Sequence, residues 1–149
     1  MKEDNKYFFD SNVIIDAFSV REGSTFYSRS LLRRVASGEI KGCLCSKQIT
    51  DIFYVLRKYI PSAQERKRVI SIILDNFEIY PLLKSQLTYC LNLSFQDYED
   101  SIIYEVAMNN CVKAIITSNK KDFEKAGRAL ILSPKECYEL IEAMQDYNR

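Results

Sequence analysis

Aspartates stand at several points of this 149-residue sequence where a predicted strand ends or the next helix begins. Asp10 directly follows the first apolar run, and Asp51 lies in the first turns of the helix predicted after the second strand. Asp100 lies near the start of a later helix, and Asp122 follows the fourth strand after a short polar segment. Each one alone is explained by helix capping or by the helix dipole, so only their convergence would indicate chemistry.

Their convergence is expected because ligands in open α/β sheets bind at the carboxyl ends of the strands. Carboxylates gathered there repel one another and raise their pKa values, which a fold tolerates when a cation neutralises them. Oxygen ligands without histidine or cysteine favour a hard ion, Mg²⁺ or Mn²⁺. Such an ion binds phosphate oxygens and lowers the pKa of a bound water. We therefore predict a metal site at this edge, built from Asp10, Asp51, Asp100 and Asp122.

Further polar side chains accompany the acids and could orient metal ligands or phosphate oxygens: Asn12, Asp97, Thr117, Ser118 and Asn119. Asp97 and Asp100 are three residues apart on one helix and therefore share a face. Glu99 lies between them and is predicted to point away from that face.

The sequence contains no histidine, which excludes Ser-His-Asp and Cys-His catalysis and any histidine base. Its five cysteines are an odd number scattered through apolar segments, and Cys43 and Cys45 form C-x-C instead of C-x-x-C. We interpret them as reduced core thiols. The net charge of +1 gives no strong field for nucleic acid. No glycine-rich dinucleotide or phosphate loop is present.

The elements that must position the aspartates alternate between strands and helices. Short apolar runs predict five buried strands, at residues 7–9, 42–45, 77–80, 114–117 and 129–132. Helical patterns occupy residues 24–37, 47–59, 62–75, 97–109 and 134–145, and capping boxes begin at Ser62 and Ser133. The alternation predicts a three-layer αβα sandwich with a central parallel sheet of about five strands, in one domain spanning 1–149. The polar residues 1–6 and the lack of a long apolar run predict a cytoplasmic protein with no membrane contact.

Four segments resemble the motifs of PIN domains, and they occur in that family's order over nearly the whole chain. They are residues 7–16 (YFFDSNVIID), 46–56 (SKQITDIFYVL), 95–102 (FQDYEDSI) and 115–123 (IITSNKKDF). The resemblance implies a metal-dependent ribonuclease, in bacteria most often the toxin of a VapBC-type toxin–antitoxin pair. It implies Mg²⁺ or Mn²⁺ held by Asp10, Asp100 and Asp122, with Asp51 as a fourth catalytic acid.

The sequence departs from the family at Asp51, because the second acid of PIN domains is usually glutamate. Aspartate is one methylene shorter and reaches about 1.5 Å less far. The resemblance also implies an RNA substrate, a small antitoxin partner and a homodimer. Lys120 and Lys121 flank the predicted site and are candidates for RNA contact, as is a second basic group at Arg57, Lys58 and residues 66–68. The apolar faces of the helices at 24–37 and 62–75 are candidate partner surfaces.

Three other classes of protein share parts of this pattern. A catalytically inactive PIN-like module that binds RNA or protein would share the whole pattern. A phosphate-receiving signalling domain needs an aspartate after the third strand, where this sequence has none. A phosphatase of the haloacid dehalogenase type needs a second aspartate two residues after the first, and position 12 is Asn12.

Overall fold

The computed structural model describes residues 5–20, 23–95, 97–123 and 130–149, apart from the side chain of Ser24. In this part of the chain the strands are β1 (Lys6–Phe9), β2 (Lys41–Cys45), β3 (Glu78–Tyr80), β4 (Ala114–Ile116) and β5 (Leu130–Leu132). The helices are α1 (Ser11–Ala17), α2 (Ser24–Ala36), α3 (Ser46–Val55), α4 (Ala63–Asn76), α5 (Lys84–Cys90), α6 (Tyr98–Asn109) and α7 (Pro134–Tyr147). Two short 3₁₀ helices span Leu56–Lys58 and Lys120–Asp122.

The five strands form one parallel sheet in the order β3-β2-β1-β4-β5. The chain adds β2 and β3 on one side of β1 and then returns to add β4 and β5 on the other. The strand order therefore reverses between β1 and β4, where Phe9 is paired with Ile116. In open α/β sheets the crevice at such a reversal is the usual ligand site.

The sheet is covered on both faces because alternate side chains of each strand point to opposite sides. Tyr7 and Phe9 join a core cluster that also contains side chains of α1, α2, α3, α4 and α7. Phe8 joins a second cluster, built largely from α5 and α6. The sheet thus lies between two helix layers, with its central strands the most deeply buried, and the predicted αβα sandwich is confirmed.

Gly42 in β2 allows the closest packing within the first of these layers. A Cβ atom placed there would lie 2.5 Å from Cε1 of Phe77 and 2.9 Å from Cγ2 of Val35. The ring of Phe77 lies edge-on to Phe9 at a centroid distance of 5.4 Å. Only a residue without a side chain fits between these groups.

Each predicted strand and helix has a counterpart, with ends shifted by a residue or a few. The 47–59 helix is shorter than predicted, since α3 ends at Val55 and a 3₁₀ turn follows. Both predicted capping serines are N-caps, with Ser62 accepting from Glu65 N and Ser133 from Glu136 N. The Ser133 box is complete, because Glu136 Oε1 accepts from the backbone N–H of Ser133 in return, whereas for Ser62 only the serine half of the box is in place. Ala129, predicted to open the last strand, lies outside the described residues. No helix among those described is long and apolar enough to cross a membrane.

Helices α1 and α5 were not predicted. Each has seven residues, too few to show a helical period clearly. The apolar Val13 and Ile14 of α1 also follow the apolar strand β1 almost at once. Four cysteines are buried as expected, but Cys111 is exposed at the end of α6 with a φ of 53°.

Candidate active site

Asp10 lies at the reversal point of the sheet, in the crevice between the ends of β1 and β4. Its backbone N–H donates to the carbonyl of Ile116 at 2.9 Å, which extends the strand pairing by one residue. The buried Thr117 hydroxyl then donates to Oδ2 of Asp10 at 2.8 Å. A backbone bond to the last residue of β4 and the hydroxyl of the residue after it thus fix the position of Asp10.

A short polar network holds the loop after β4 against Asp10. Asn12 donates from Nδ2 to Oδ2 of Asp10 at 3.2 Å and accepts from the backbone of Ser118 at 3.3 Å. The backbone N–H of Asn119 donates to the Thr117 hydroxyl at 3.0 Å. The structure therefore brings together four of the five residues predicted to support the acids.

Asp97, the fifth, is the N-cap of α6, where its Oδ1 accepts from the backbone N–H of Asp100 at 3.1 Å. The Asp100 carboxyl follows it in the first turn of the helix. Its pKa is raised to about 7, first by burial and then by the charges of Asp97, Asp10, Asp122 and Glu99. Asp100 therefore lies within electrostatic reach of the acids that follow β1 and β4.

The carboxyl of Asp10 is perturbed in the same direction. Burial raises its pKa most, the Thr117 hydrogen bond opposes the rise, and the charges of Glu99 and Asp122 add to it. Asp122 lies on the exposed 3₁₀ helix after β4. Asp10, Asp100 and Asp122 thus form the like-charged group that we refer to as the acidic cluster.

Glu99 was predicted to point away from the face that Asp97 and Asp100 share, but its side chain takes part in this electrostatic network. Its Oε1 lies 3.2 Å from Nζ of Lys47 on α3, and its charge acts on both Asp10 and Asp100. The spacing of residues on α6 cannot indicate this contact, because Lys47, which attracts the carboxylate of Glu99, lies on the neighbouring helix α3.

Asp51, the predicted fourth acid, is held by the same lysine. Its Oδ2 lies 2.6 Å from Nζ of Lys47, four residues earlier on α3. Lys47 therefore bridges Asp51 on α3 and Glu99 on α6 at the border of the acidic cluster. The structure thus links Asp51 to Glu99 through Lys47, and among the described residues no hydrogen bond or ion pair joins Asp51 to Asp10, Asp100 or Asp122.

Gln48 is a supporting residue that the sequence did not point out. It is fully buried, and its Nε2 donates to the carbonyl of Phe9 at 2.9 Å and to Oγ of Ser11 at 3.1 Å. Its Oε1 accepts from the backbone of Cys45 at 2.7 Å. It thereby fixes the ends of β1 and β2 to the start of α3. The one signal was its place three residues after the end of a strand, which is the N3 position of a capping box.

The two lysines predicted to contact RNA differ in their surroundings. Nζ of Lys120 lies 2.9 Å from Oε1 of Glu136, in the first turn of α7. Lys121 is exposed, and within the described part of the chain it makes no ion pair. Lys121 is therefore the better placed of the two to reach a phosphate.

The donors of the acidic cluster fit a hard divalent cation, because they are carboxylate oxygens with amide and hydroxyl oxygens beside them. Among the described residues, no three acidic side chains already stand as a ready-made coordination group. Burial, and then the charges of its acidic neighbours, raise the pKa of Asp100, and a bound cation would neutralise those charges.

Comparison with known proteins gives the class. A family profile described as PIN domain matches residues 6–121, most of the chain. The protein belongs to the PIN domain family. Asp10, Asp51 and Asp100 lie inside the matched segment, and Asp122 follows it directly.

The relatives it resembles include Ribonuclease VapC1 of Aquifex aeolicus (strain VF5). The two are 29% identical over 140 residues, which cover 89% of this chain and 93% of the relative.

A toxin–antitoxin complex from Klebsiella pneumoniae has a similar fold, with a TM-score of 0.62, 22% identity, and coverage of 86% of this chain and 97% of the other. VapC20 of Mycobacterium tuberculosis, a toxin that cleaves the sarcin-ricin loop, gives a TM-score of 0.60 at 10% identity, covering 81% and 95%. VapBC2 of Rickettsia felis, bound to promoter DNA, gives a TM-score of 0.62 at 15% identity and covers 86% of this chain and 98% of its own.

Proposed function

We propose that this protein is a metal-dependent endoribonuclease and the toxin of a bacterial toxin–antitoxin pair, acting in the cytoplasm. The acidic cluster at the reversal point of a PIN-domain sheet is the observation that carries the proposal. The similarity to Ribonuclease VapC1 over most of both chains supports the choice of RNA as substrate.

Asp10, Asp100 and Asp122 are the residues that would hold Mg²⁺ or Mn²⁺, with Asp51 nearby on α3. When bound, such an ion lowers the pKa of a water molecule and stabilises negative charge on the phosphate. Thr117 and Asn12 keep the carboxylate of Asp10 in one orientation through their hydrogen bonds. Lys121 offers a positive charge for the RNA backbone beside the cluster.

Asp100 has a further role because it must lose its proton before it can bind a cation. Its pKa of about 7 means that this proton is partly retained at neutral pH. Metal binding, and the cleavage that depends on it, should therefore strengthen as the pH rises through 7.

The experiment is an RNA cleavage assay with purified protein and Mg²⁺ or Mn²⁺, with EDTA as the metal-free arm. Asp100→Asn is the test variant, and Asp146→Asn is the matched control, since Asp146 is an exposed aspartate of α7. We expect cleavage by wild type and Asp146→Asn and none by Asp100→Asn or in EDTA. Cleavage that continues in EDTA, or that Asp100→Asn leaves intact, would show that the acidic cluster is not the active site. Intact RNA in every arm would favour an inactive PIN-like binding module.

The antitoxin surface that we propose is an apolar groove where the end of α1 meets α2 and α4. A cavity of about 110 Å³ lies there, lined by Phe18, Leu32, Ala36, Val69, Ile72, Ile73, Asn76 and Phe77. Ile72 in its lining is 59% exposed, so its apolar side chain adds to the surface that the groove leaves in contact with water. An apolar segment of a small partner would remove this surface from water. We also propose a homodimer, which light scattering of the purified protein would test.

A further inference from the structure

One face of α3 leads away from the acidic cluster and carries a distinctive series of side chains. Lys47, Asp51 and Tyr54 are spaced by four and three residues, so they lie on the same face of the helix. At about 100° per residue, Lys47 and Tyr54 differ by only about 20° around the axis. Lys47 is in contact with Glu99 beside the cluster, and Tyr54 is therefore the next large side chain along this face.

Tyr54 presents an aromatic ring to solvent together with a stacked cation. Its side chain is 59% exposed, and the guanidinium carbon of Arg57 lies 4.1 Å from the ring centroid. Arg57 and the neighbouring Lys58 are both exposed, and neither makes an ion pair within the described residues. The pair thus combines a flat apolar surface with positive charge that no carboxylate neutralises.

Tyr54 lies the length of a few nucleotides from Lys47, which borders the acidic cluster through its ion pair with Glu99. Seven residues of helix separate Lys47 from Tyr54, a rise of about 10 Å. Stacked bases are about 3.4 Å apart, so this distance corresponds to about three nucleotides. Unpaired bases of single-stranded RNA stack on tyrosine rings and on arginine planes, whereas the phosphates seek positive charge.

We propose that Tyr54 and Arg57 form a stacking site for an unpaired base of the RNA substrate, a few nucleotides from the scissile phosphate. The inference rests on the proposed ribonuclease function and adds a substrate contact outside the acidic cluster. A second copy of this chain is the competing occupant of the surface. RNA is favoured because the free charges of Arg57 and Lys58 would repel their own copies across a symmetric contact.

The test measures binding separately from cleavage. An unstructured RNA oligonucleotide containing the fluorescent base 2-aminopurine is titrated with protein in EDTA, so that no metal supports cleavage. Stacking on Tyr54 should quench the fluorescence. Tyr54→Ala should weaken binding about ten-fold and abolish the quenching, whereas Tyr54→Phe should retain both. The matched control is Tyr147→Ala, because Tyr147 is a 91% exposed tyrosine at the end of α7 and should not matter.

Arg57 provides a second, independent readout. Arg57→Ala should weaken binding and lower the slope of log affinity against log salt by about one, because one phosphate contact is lost. In steady-state cleavage with Mg²⁺, Tyr54→Ala should raise KM with little change in kcat. A merely structural residue would instead lower the melting temperature, which circular dichroism of each variant would reveal.

The outcomes separate this inference from the proposed function. If wild type cleaves RNA but Tyr54→Ala binds and cleaves it equally well, the stacking site is wrong and the ribonuclease stands. If Tyr54→Ala leaves RNA binding intact but turns a dimer into a monomer by light scattering, the surface is a protein interface and the inference is overturned. If wild type neither binds nor cleaves RNA, both proposals fall together.

Discussion

The carboxyl of Asp100 is half protonated near neutral pH, because burial and four acidic neighbours raise its pKa to about 7. The usual pKa of an aspartate is about 3.9. The folded protein therefore binds a proton at this position that the unfolded chain releases. Such a group makes folding less favourable as its proton is removed. In the absence of a cation, the acidic cluster therefore lowers the free energy of unfolding at neutral and higher pH.

The first prediction concerns the metal-free stability of Asp100→Asn, which keeps the shape of the side chain and removes the charge. Below pH 4 the carboxyl of Asp100 is protonated in both the folded and the unfolded wild type, so the variant should melt close to wild type. Between pH 4 and pH 7 wild type alone is destabilised progressively, and above pH 7 the difference is constant. Thermal unfolding in EDTA at pH 5 and pH 8 tests this, with Asp146→Asn as control. A variant that melts lower than wild type at pH 8 would indicate a structural cap instead of relieved repulsion.

The second prediction is the response to metal. Wild type should gain stability with the logarithm of the Mg²⁺ or Mn²⁺ concentration once it exceeds Kd, and Asp100→Asn should gain much less. The response should be weaker at pH 5 than at pH 8, because Asp100 must first lose its proton. Melting curves over a millimolar range of either ion provide the measurement. Equal gains in both proteins would place the ion elsewhere.

At the scale of the elements, continuous apolar runs predicted the five strands of the described residues, and helical spacing and capping boxes predicted their helices of eight residues or more. The short helices α1 and α5 had too few residues to show a period. The side-chain directions of Glu99 and Gln48 were missed for a different reason. They depend on which helix packs beside α6 and on where β1 ends relative to α3, and neither follows from the local sequence. Burial of Thr117 was predictable because the strand before it is continuously apolar.

The third prediction is that Gly42→Ala destabilises β2 and the layer packed on it. Its new methyl group would meet the ring of Phe77, so the ring or the strand must shift at a cost of about 1 to 3 kcal/mol. Denaturant unfolding measures this cost. Phe77→Leu in the same protein should recover part of it by making room, although it is destabilising alone. Costs that simply add in the double variant would contradict the proposed contact.

The fourth prediction concerns the end of α6, where Cys111 adopts a left-handed backbone conformation. A residue with a side chain is strained there by about 1 kcal/mol, and glycine is not. Cys111→Gly should therefore raise the melting temperature by about 2 to 4 °C for a chain of this size. Cys111→Ala removes the thiol but keeps the strain, so it should leave the melting temperature unchanged. A similar rise in both variants would attribute the effect to the thiol.

At the scale of the whole molecule, the strand order brings acids from distant parts of the chain to one crevice. The position of Asp10 follows from the strand pattern, because β1 is central in the sheet and its end faces the end of β4. The Lys47 bridge could not be predicted in the same way, since it joins two helices whose separation depends on the core between them. The strand pattern therefore predicts where the ends of β1 and β4 meet, but not the ion pairs that helices from other layers form beside them.

The fifth prediction is made for the intact protein in a bacterial host. Expression of wild type without a neighbouring antitoxin gene should slow growth, and Asp100→Asn expressed to the same level should not. Growth curves with matched immunoblots give the measurement.

A groove variant, Ile72→Asp, should remain toxic but resist rescue by the antitoxin, because a charge in an apolar contact is costly. Normal growth with wild type, together with a monomer by light scattering, would favour the lone binding module.

Because the chain is synthesised from its N-terminus, β1 is made long before β4, with which it pairs. Thr117 is 107 residues later in the chain than Asp10, with which it forms a hydrogen bond. At 5 to 20 residues per second a ribosome needs about 5 to 20 s to cover that interval. The acidic cluster therefore cannot assemble on the nascent chain during this period. All residues of the apolar groove precede Asp100 and Asp122 in the chain, so the proposed antitoxin surface is synthesised before the acidic cluster is complete.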